Sequence, residues 1–436
     1  MIRNAMHCER VRTPNQYSSA ELFTGLGRAP LTTVLLDRDC LAYGLSVFRT
    51  SAQTLIVVDA QGNQMGFSKA GSVINSRPAA PLTQDKHSTR LILQDQDVPV
   101  PKGMRFTPQD LEAAVDYASE ELGYPVVVKP LHGTQGKGVL TGIGDESELR
   151  WAFGELSGDT AQDEIVVEEQ IEGEAYRIIV VNGRAVSALI SRRCAVTGNG
   201  SQTVRQLVEE RQQVRRGNPH LMSRPIHVDE RLEHLLQRQH TALDSVLEAG
   251  RTVHVTYGSN TSQGGEPEQV LEKLHPSILE ASARAVEAIP GLGFAGVDFI
   301  IPAPDRPLTE QRAGICEINS VPAVDSHEYP LYGAPVTVAQ ELVRTSAEHA
   351  GVSLSSYRTT VALKVTIDCP GARKEFKDWL AARAEQMGLK VSFRLLSLRT
   401  VHGKVNGPAE EAAAWLAHAF QNPHQVTPRS LEVHHV

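Results

Sequence analysis

Tyr124-Pro-Val-Val-Val-Lys-Pro130, followed by Gly133-Thr-Gln-Gly-Lys-Gly-Val139, decides how this chain is read. The β-branched run predicts a buried strand, and Lys129 leaves it with an anchored stem and an ammonium able to reach an inner phosphate. Gly133, Thr134, Gln135, Gly136, Lys137 and Gly138 then form a loop whose backbone N–H groups stay accessible, the arrangement that cradles anions. No Gly-Lys-Ser/Thr opens a helix here, so this is not a Walker A sequence. A glycine loop alone can also serve only to turn the chain.

A second constellation lies far downstream. Gly296-Val-Asp298 and Cys316-Glu-Ile-Asn319 end two further apolar runs with hard oxygen ligands, the type Mg²⁺ takes. Glu317 and Asn319 share one face of a strand by its period of two. If the two strands are neighbours, Asp298, Glu317 and Asn319 converge with phosphates on a metal. Buried acids without cations would be costly, although an edge strand at the surface could carry them idly. Between the two constellations, Val166-Val-Glu-Glu-Gln-Ile-Glu-Gly-Glu-Ala-Tyr-Arg177 is an acidic turn between strands. It reads either as a solvated surface turn or as a hinge that offers backbone groups to an adenine edge and a carboxylate to a ribose. Arg177, fork-shaped and always charged, suits a γ-phosphate or an acyl phosphate.

Composition narrows the classes. The 436 residues are 41% hydrophobic and 22% charged, ordinary for a multidomain globular chain. The net charge of -8, from 43 basic against 51 acidic side chains, gives no general attraction to nucleic acid. Five cysteines, Cys8, Cys40, Cys194, Cys316 and Cys369, stand singly, so neither a zinc site nor a disulfide framework is indicated. The N-terminus lacks the apolar core of a signal peptide, and no run approaches the roughly 20 apolar residues of a membrane span. A soluble, cytoplasmic protein without membrane partners is expected.

The order of elements predicts an α+β fold in three parts. Residues 1–82 are a lead-in with a small β meander, from Gly44-Leu-Ser-Val through Thr54-Leu-Ile-Val-Val to Gln64-Met-Gly-Phe. Residues 83–350 hold a helix from Thr83 to about Val100, a helix opened by Thr107-Pro108, the strand and loop quoted first, and a hairpin turning at Asn182-Gly183. Helices from Thr203 to Arg216, Asp229 to Gln239 and His275 to Ile289 follow. Gly351-Val-Ser-Leu-Ser-Ser356 reads as a flexible link. Residues 357–436 give the order βαββαβ of the ferredoxin-like motif, a separate domain whose removal is predicted to spare the rest.

With these residues in view, the chain resembles the ATP-grasp superfamily. Lys86, Lys129, the glycine loop, Val167-Glu168 and the set Asp298, Glu317 and Asn319 match it in order and spacing. Tyr176-Arg177, Asn199-Gly-Ser-Gln-Thr-Val204, Ser259-Asn-Thr-Ser-Gln-Gly-Gly265 and His275-Pro276 look like the ATP-dependent central domain of cyanophycin synthetase and related peptide ligases, over about residues 40–345. The resemblance implies that Lys86 and Lys129 hold ATP phosphates, that Glu168 and the backbone near Ile171 hold adenine, and that Asp298, Glu317 and Asn319 hold two Mg²⁺, with Mn²⁺ able to substitute. It implies a ligase in which a carboxylate takes the γ-phosphate and an amine opens the acyl phosphate, with Arg177, Lys129 and Asn319 at the reacting centre. An ATP-grasp kinase and a nucleotide-binding regulator without turnover are the competing readings.

Two departures qualify that carry-over. The family commonly has Asp where Ala175 stands, so the ribose contact is lost or moves to Glu174. The chain also lacks the long N-terminal domain and the C-terminal Mur-ligase-like domain of cyanophycin synthetase, so arginine or aspartate specificity does not transfer. Arg192, Arg193, Asn260 and His327 are expected to face the acyl substrate, His327 from a loop after the metal strand. The C-terminal part has no visible phosphate cradle, because Asp368-Cys-Pro-Gly-Ala-Arg373 places a proline where backbone donors would be needed. It reads as a docking, substrate-shaping or homodimer-forming module.

Overall fold

The protein is described here by a computed structural model covering residues 13–27, 31–131, 138–158, 164–261, 264–370, 373–397 and 399–436. Contacts divide the chain into two units, one of Met1–Arg28, Ser191–Gln269 and Asp325–Val336, the other of Ala29–Ile190, Val270–Val324 and Thr337–Val436. The larger unit begins with the helix Leu31–Ala42, almost all of whose residues are buried. Buried on nearly every side, and with Asp37 and Asp39 inside, it shows no helical alternation of apolar and polar residues in the sequence. Three strands follow, β1 (Ser46–Arg49), β2 (Thr54–Val58) and β3 (Gln64–Ser68), joined as antiparallel neighbours.

The helix read from Thr83 to Val100 is in fact two, Ala79–Gln84 and Lys86–Asp95. Asp85 divides them by capping the second: its Oδ1 accepts from the backbone N–H groups of His87 at 2.9 Å and Ser88 at 3.0 Å. Strands β4 (Gly103–Phe106), β5 (Val126–Pro130), β6 (Leu140–Ile143) and β7 (Ile165–Glu169) then form a sheet in the order β4-β7-β5-β6. One face, with Val126, Val128, Ile165 and Val167, packs on Leu149 and Phe153 of the helix Glu146–Gly158. The period of two turns Val127, Lys129, Val166 and Glu168 to the other face.

Strands β8 (Glu174–Val181) and β9 (Arg184–Arg192) form the predicted hairpin. Its turn residues Asn182 and Gly183 have φ of +47° and +72°, the left-handed pair that a two-residue hairpin turn requires. In the smaller unit β10 (Ala195–Thr197) pairs with β11 (Thr252–His254), β12 (Glu266–Gln269) follows, and Val204, Leu207, Leu232, Leu236 and Val253 share a core. Thr203 and Gln206 form a capping box that starts the helix Val204–Arg216. Back in the larger unit, His275 caps the helix Pro276–Glu287, and β13 (Phe294–Ile301) runs antiparallel between β8 and β14 (Gly314–Asn319).

The C-terminal strands β15 (Thr360–Asp368), β16 (Lys390–Leu395), β17 (Thr400–Pro408) and β18 (Ser430–His435) are interleaved with the helices Lys374–Gln386 and Ala409–Phe420. They do not stand apart from the lead-in but share one sheet with it, unlike the separate C-terminal domain that the βαββαβ order predicts. The sheet runs β16-β17-β15-β18-β1-β2-β3, and Val433 of β18 lies opposite Val365 on one side and Val47 on the other. The reason is edge pairing: β18 would otherwise present unpaired backbone groups, and the short β1–β3 meander cannot bury a face alone. The link from Gly351 to Ser356 is likewise pinned. Ser353 N–H donates to Asp59 at 2.8 Å and Ser355 N–H to the Tyr43 carbonyl at 2.9 Å. Among the described residues no helix is long and apolar enough to cross a membrane.

Candidate active site

Lys129 lies on β5, a strand buried at all five positions between β7 and β6. It opposes Val166, while Glu168 opposes Val127, so Lys129 and Glu168 are diagonal neighbours on one face. Lys129 Nζ donates to Glu168 Oε1 at 2.5 Å, with both side chains buried. The other Glu168 oxygen is 3.8 Å from Arg90. Arg90 sits one turn after Lys86 on the helix Lys86–Asp95, a spacing that puts both cations on one helix face. Gly103, opposite Glu168 in β4, makes room: a β-carbon there would come within 2.6 Å of both Arg90 Nη1 and Glu168 Cβ.

Lys86 Nζ donates to the Leu131 carbonyl at 3.4 Å. Burial holds its ammonium below the ordinary lysine range, and Lys129 adds to that, while Glu317 and Glu168 oppose it. Lys86, Arg90, Lys129, Glu168, Cys316 and Glu317 line one cavity of about 20 Å³. That is room for a single water, far less than a nucleotide needs. Burial pushes the Cys316 thiol up to about 12, with Glu168 adding to it, so this sulfur is a packed neutral group rather than a nucleophile.

The oxygen ligands come together as their strands predict. Arg177 on β8, Asp298 on β13 and Glu317 on β14 lie opposite one another in a row across three antiparallel strands. Arg177 grips Asp298 with two bonds, Nε to Oδ1 at 2.7 Å and Nη2 to Oδ2 at 2.6 Å. That carboxylate raises the guanidinium well above its usual range. Asn319 Nδ2 stands 3.4 Å from Asp298 Oδ2. Burial, and then the charge of Asp298, push the Glu317 carboxyl up, against Lys86, Arg177 and Lys129. A carboxylate crowded in this way is relieved by a cation. Among the described residues no three His, Cys, Asp or Glu side chains gather as a metal cluster. Two carboxylates and an amide nevertheless fit Mg²⁺, which keeps waters and phosphate oxygens in the rest of its shell.

Other sequence candidates fall differently. Gly133, Thr134, Gln135, Gly136 and Lys137 lie outside the described residues. Gly138 has φ of +73°, and a β-carbon there would meet the Pro130 ring at 3.2 Å, so glycine is needed. Ile171 is buried, and Glu174 is exposed at the start of β8. In the smaller unit Arg192 Nε donates to Glu268 at 2.9 Å, Arg193 Nη2 donates to the Thr256 carbonyl at 2.9 Å, and the Asn260 carbonyl accepts from Gly265 N–H at 3.0 Å. His327 is a correction. It sits in the helical turn Asp325–Glu328 with 0% exposure, rather than on an open loop. Arg90 and Cys316 were not singled out from sequence; the four-residue interval from Lys86 was the signal available for Arg90.

Comparison with known proteins gives the following. A family model described as an ATP-grasp domain matches residues 83–323. The cyanophycin synthetase of Geminocystis herdmanii (strain PCC 6308) is 30% identical over 296 residues, which is 67% of this chain and 33% of the relative. The glutathione biosynthesis bifunctional protein GshAB of Listeria monocytogenes serotype 4b (strain F2365) is 26% identical over 357 residues, 77% of this chain and 44% of that protein. The crystal structure of a bifunctional glutathione synthetase from Pasteurella multocida superposes with a TM-score of 0.54 at 23% identity, over 68% of this chain and 41% of that one, a likeness of fold. The chain thus spans between a third and under half of the length of these relatives.

Proposed function

The chain belongs to the ATP-grasp family, and from that premise we propose that it is an ATP-dependent carboxylate–amine ligase acting on amino-acid or small-peptide substrates. The observation that carries the reading is the row Arg177–Asp298–Glu317, with Asn319 beside it, in a unit that also packs Lys86 and Lys129 against Glu317. Cations and hard oxygens meet there, which is what holding a polyphosphate and its metal demands.

In this reading Lys86 and Lys129 hold ATP phosphates, with the 133–138 loop. Glu168 and the backbone near Ile171 take adenine, and Glu174 replaces the ribose contact missing at Ala175. Asp298, Glu317 and Asn319 would hold one or two Mg²⁺, with Mn²⁺ able to substitute; the metal supplies charge neutralisation on the transferring phosphoryl oxygens. A substrate carboxylate oxygen attacks the γ-phosphorus, the bond to the bridging oxygen breaks and ADP leaves. The amine nitrogen then attacks the acyl carbonyl, phosphate departs and the nitrogen loses a proton. Arg177, with its charge fixed by Asp298, stabilises the oxygen charge that builds in both steps. Because the cavity that Lys129 and Glu168 line holds no more than a water, nucleotide entry has to widen it.

We further take 83–350 as the ligase region, a cytoplasmic location, and the strand order β16-β17-β15-β18 as a ferredoxin-like unit that docks substrate or a second copy. The deciding experiment measures ADP release against carboxylate and amine, alone and together. Release that needs both supports the ligase; a stable phosphorylated product from one substrate would overturn it in favour of a kinase.

A further inference from the structure

Residues before 83 lie outside the family match, yet they line a wide, solvent-open groove of about 790 Å³. Its walls are β2, β3 and the loop from Lys69 to Arg77. Ser320 and Val321 also line it, the first of them a single peptide step, about 3.8 Å, beyond Asn319. Asn75 fixes that junction. Its Nδ2 donates to the Phe294 and Ser320 carbonyls, both at 2.8 Å, and its Oδ1 accepts from Gly293 N–H at 3.0 Å and Phe294 N–H at 2.8 Å. Four bonds to the start of β13 and the end of β14 make this loop a wall held in register with the oxygen ligands.

The lining has a definite chemistry. Ile56, Val73 and Val321 expose apolar surface at 38%, 38% and 44%, with Phe67 buried behind them. The charged lining residues are Lys69 and Arg77, both exposed, and no Asp or Glu joins them. We propose that this groove seats the acyl substrate, and that this substrate is a carboxylate with an apolar body and a second anionic group. The reactive carboxylate lies toward Asn319, and Lys69 and Arg77 meet the second charge. The assignment of the reacting group rests on the ligase reading; the binding of a dianion does not. Specificity then resides in a segment that the family match leaves out, so relatives can share the chemistry and differ in substrate.

The test compares N-acetyl-valyl-glutamate with N-acetyl-valyl-glutamine, equal in shape and one charge apart, on the full chain. Binding is read by calorimetry, and turnover as hydroxamate formed with Mg-ATP and hydroxylamine as the amine. The variants are Arg77→Ala and Lys69→Asn, asparagine being chosen because Lys69 has φ of +55°. Wild type should prefer the dianion by about tenfold, the scale of two exposed ion pairs. The double variant should lose that preference while its KM for ATP stays unchanged. Equal binding of the two probes, binding of neither, or a preference that survives in the double variant would overturn the groove assignment. Charge-dependent binding that the variants abolish, with no hydroxamate formed, would keep the groove and overturn the ligase reading instead.

Discussion

The sheet β4-β7-β5-β6 and the sheet that joins the chain ends are built on opposite plans. The first closes entirely between residues 103 and 169, so no strand partner lies farther off than Gly103 from Glu168. The second needs Val47 to meet Val433, so neither end can complete it alone. Loop closure on that scale has to be completed before its contacts repay it, which makes the terminal sheet the late and cooperative part of the fold. The difference teaches that the sheet bearing Lys129 is set within the one stretch 103–169, while the terminal sheet needs both chain ends.

The largest effect should therefore come from truncation. Ending the chain after Ser356 removes β15–β18, leaves the edge of β1 unpaired and uncovers the buried helix Leu31–Ala42, which packs against Ala409–Phe420. We expect a fragment that is insoluble or melts without a cooperative transition. A fragment that unfolds in one sharp step and binds Mg-ATP would break the comparison and restore the separable domain that βαββαβ order predicts.

Next in size is Arg49 on β1. It donates to Asp37 Oδ2 at 2.7 Å and to the Ala52 carbonyl at 2.6 Å, and its guanidinium lies 4.9 Å over the ring of Phe420. Neither member of the ion pair is exposed. Burial pushes the Asp37 carboxyl up to about 6 despite Arg49. Arg49→Met should cost about 3–5 kcal/mol, because it strands a buried acid. Arg49→Met with Asp37→Leu should recover most of that loss, since the charge left unpaired is removed as well. Urea midpoints read both. A double variant as unstable as the single one would mean that the stranded acid is not the cause and that the contact of Arg49 with Phe420 carries the loss.

On the local side, Lys129→Ala and Glu317→Ala should each lower ATP turnover by about 10² to 10³, the usual cost of one contact to developing charge. Circular dichroism should stay near wild type, because neither side chain belongs to the apolar face of its sheet, but Lys129→Ala should also lower the urea midpoint, since it leaves buried Glu168 with Arg90 at 3.8 Å. Near-native ATP consumption in either variant would remove that residue from the site.

The same contrast explains what could be read in the sequence. Asn182-Gly183, the box of Thr203 and Gln206, and His275-Pro276 announce local geometry, and the structure has a hairpin and two helix starts there. The oxygen row was legible because strand period and residue type agree at Asp298, Glu317 and Asn319. The helix Leu31–Ala42 was not, since a helix buried almost all round, with Asp37 and Asp39 inside, has no exposed face to set a polar period. Nor were the Arg177–Asp298 fork, the Lys129–Glu168 bond or the burial of His327, which depend on partners distant in sequence. The shared terminal sheet was missed for that reason: a βαββαβ order says nothing about what covers its last strand.

The smallest effect concerns the seam itself. Asp59, after β2, accepts from Gln61 N–H and Asn63 N–H on Oδ1, both at 2.9 Å, and on Oδ2 from Asn63 Nδ2 at 2.9 Å and Ser353 N–H at 2.8 Å. The Ser353 N–H comes first among the causes that hold its carboxyl down at about 2, against an ordinary 3.8; burial opposes it, and Asn63 and Gln61 add to it. A depressed folded-state pKa means that the unfolded chain binds the proton more readily. The stabilisation is therefore complete above the ordinary value and lost as the pH falls from about 4 to about 2. Asp59→Asn keeps the turn but sets an amide against the Ser353 donor and removes the titration. The gap in urea midpoint between wild type and Asp59→Asn should be constant from neutral pH down to about 4, then close toward about 2. Because the other carboxylates cancel in that difference, a gap independent of pH would show that the folded chain does not hold the Asp59 carboxyl below its ordinary range, and so that neither the turn nor the Ser353 contact stabilises its charge.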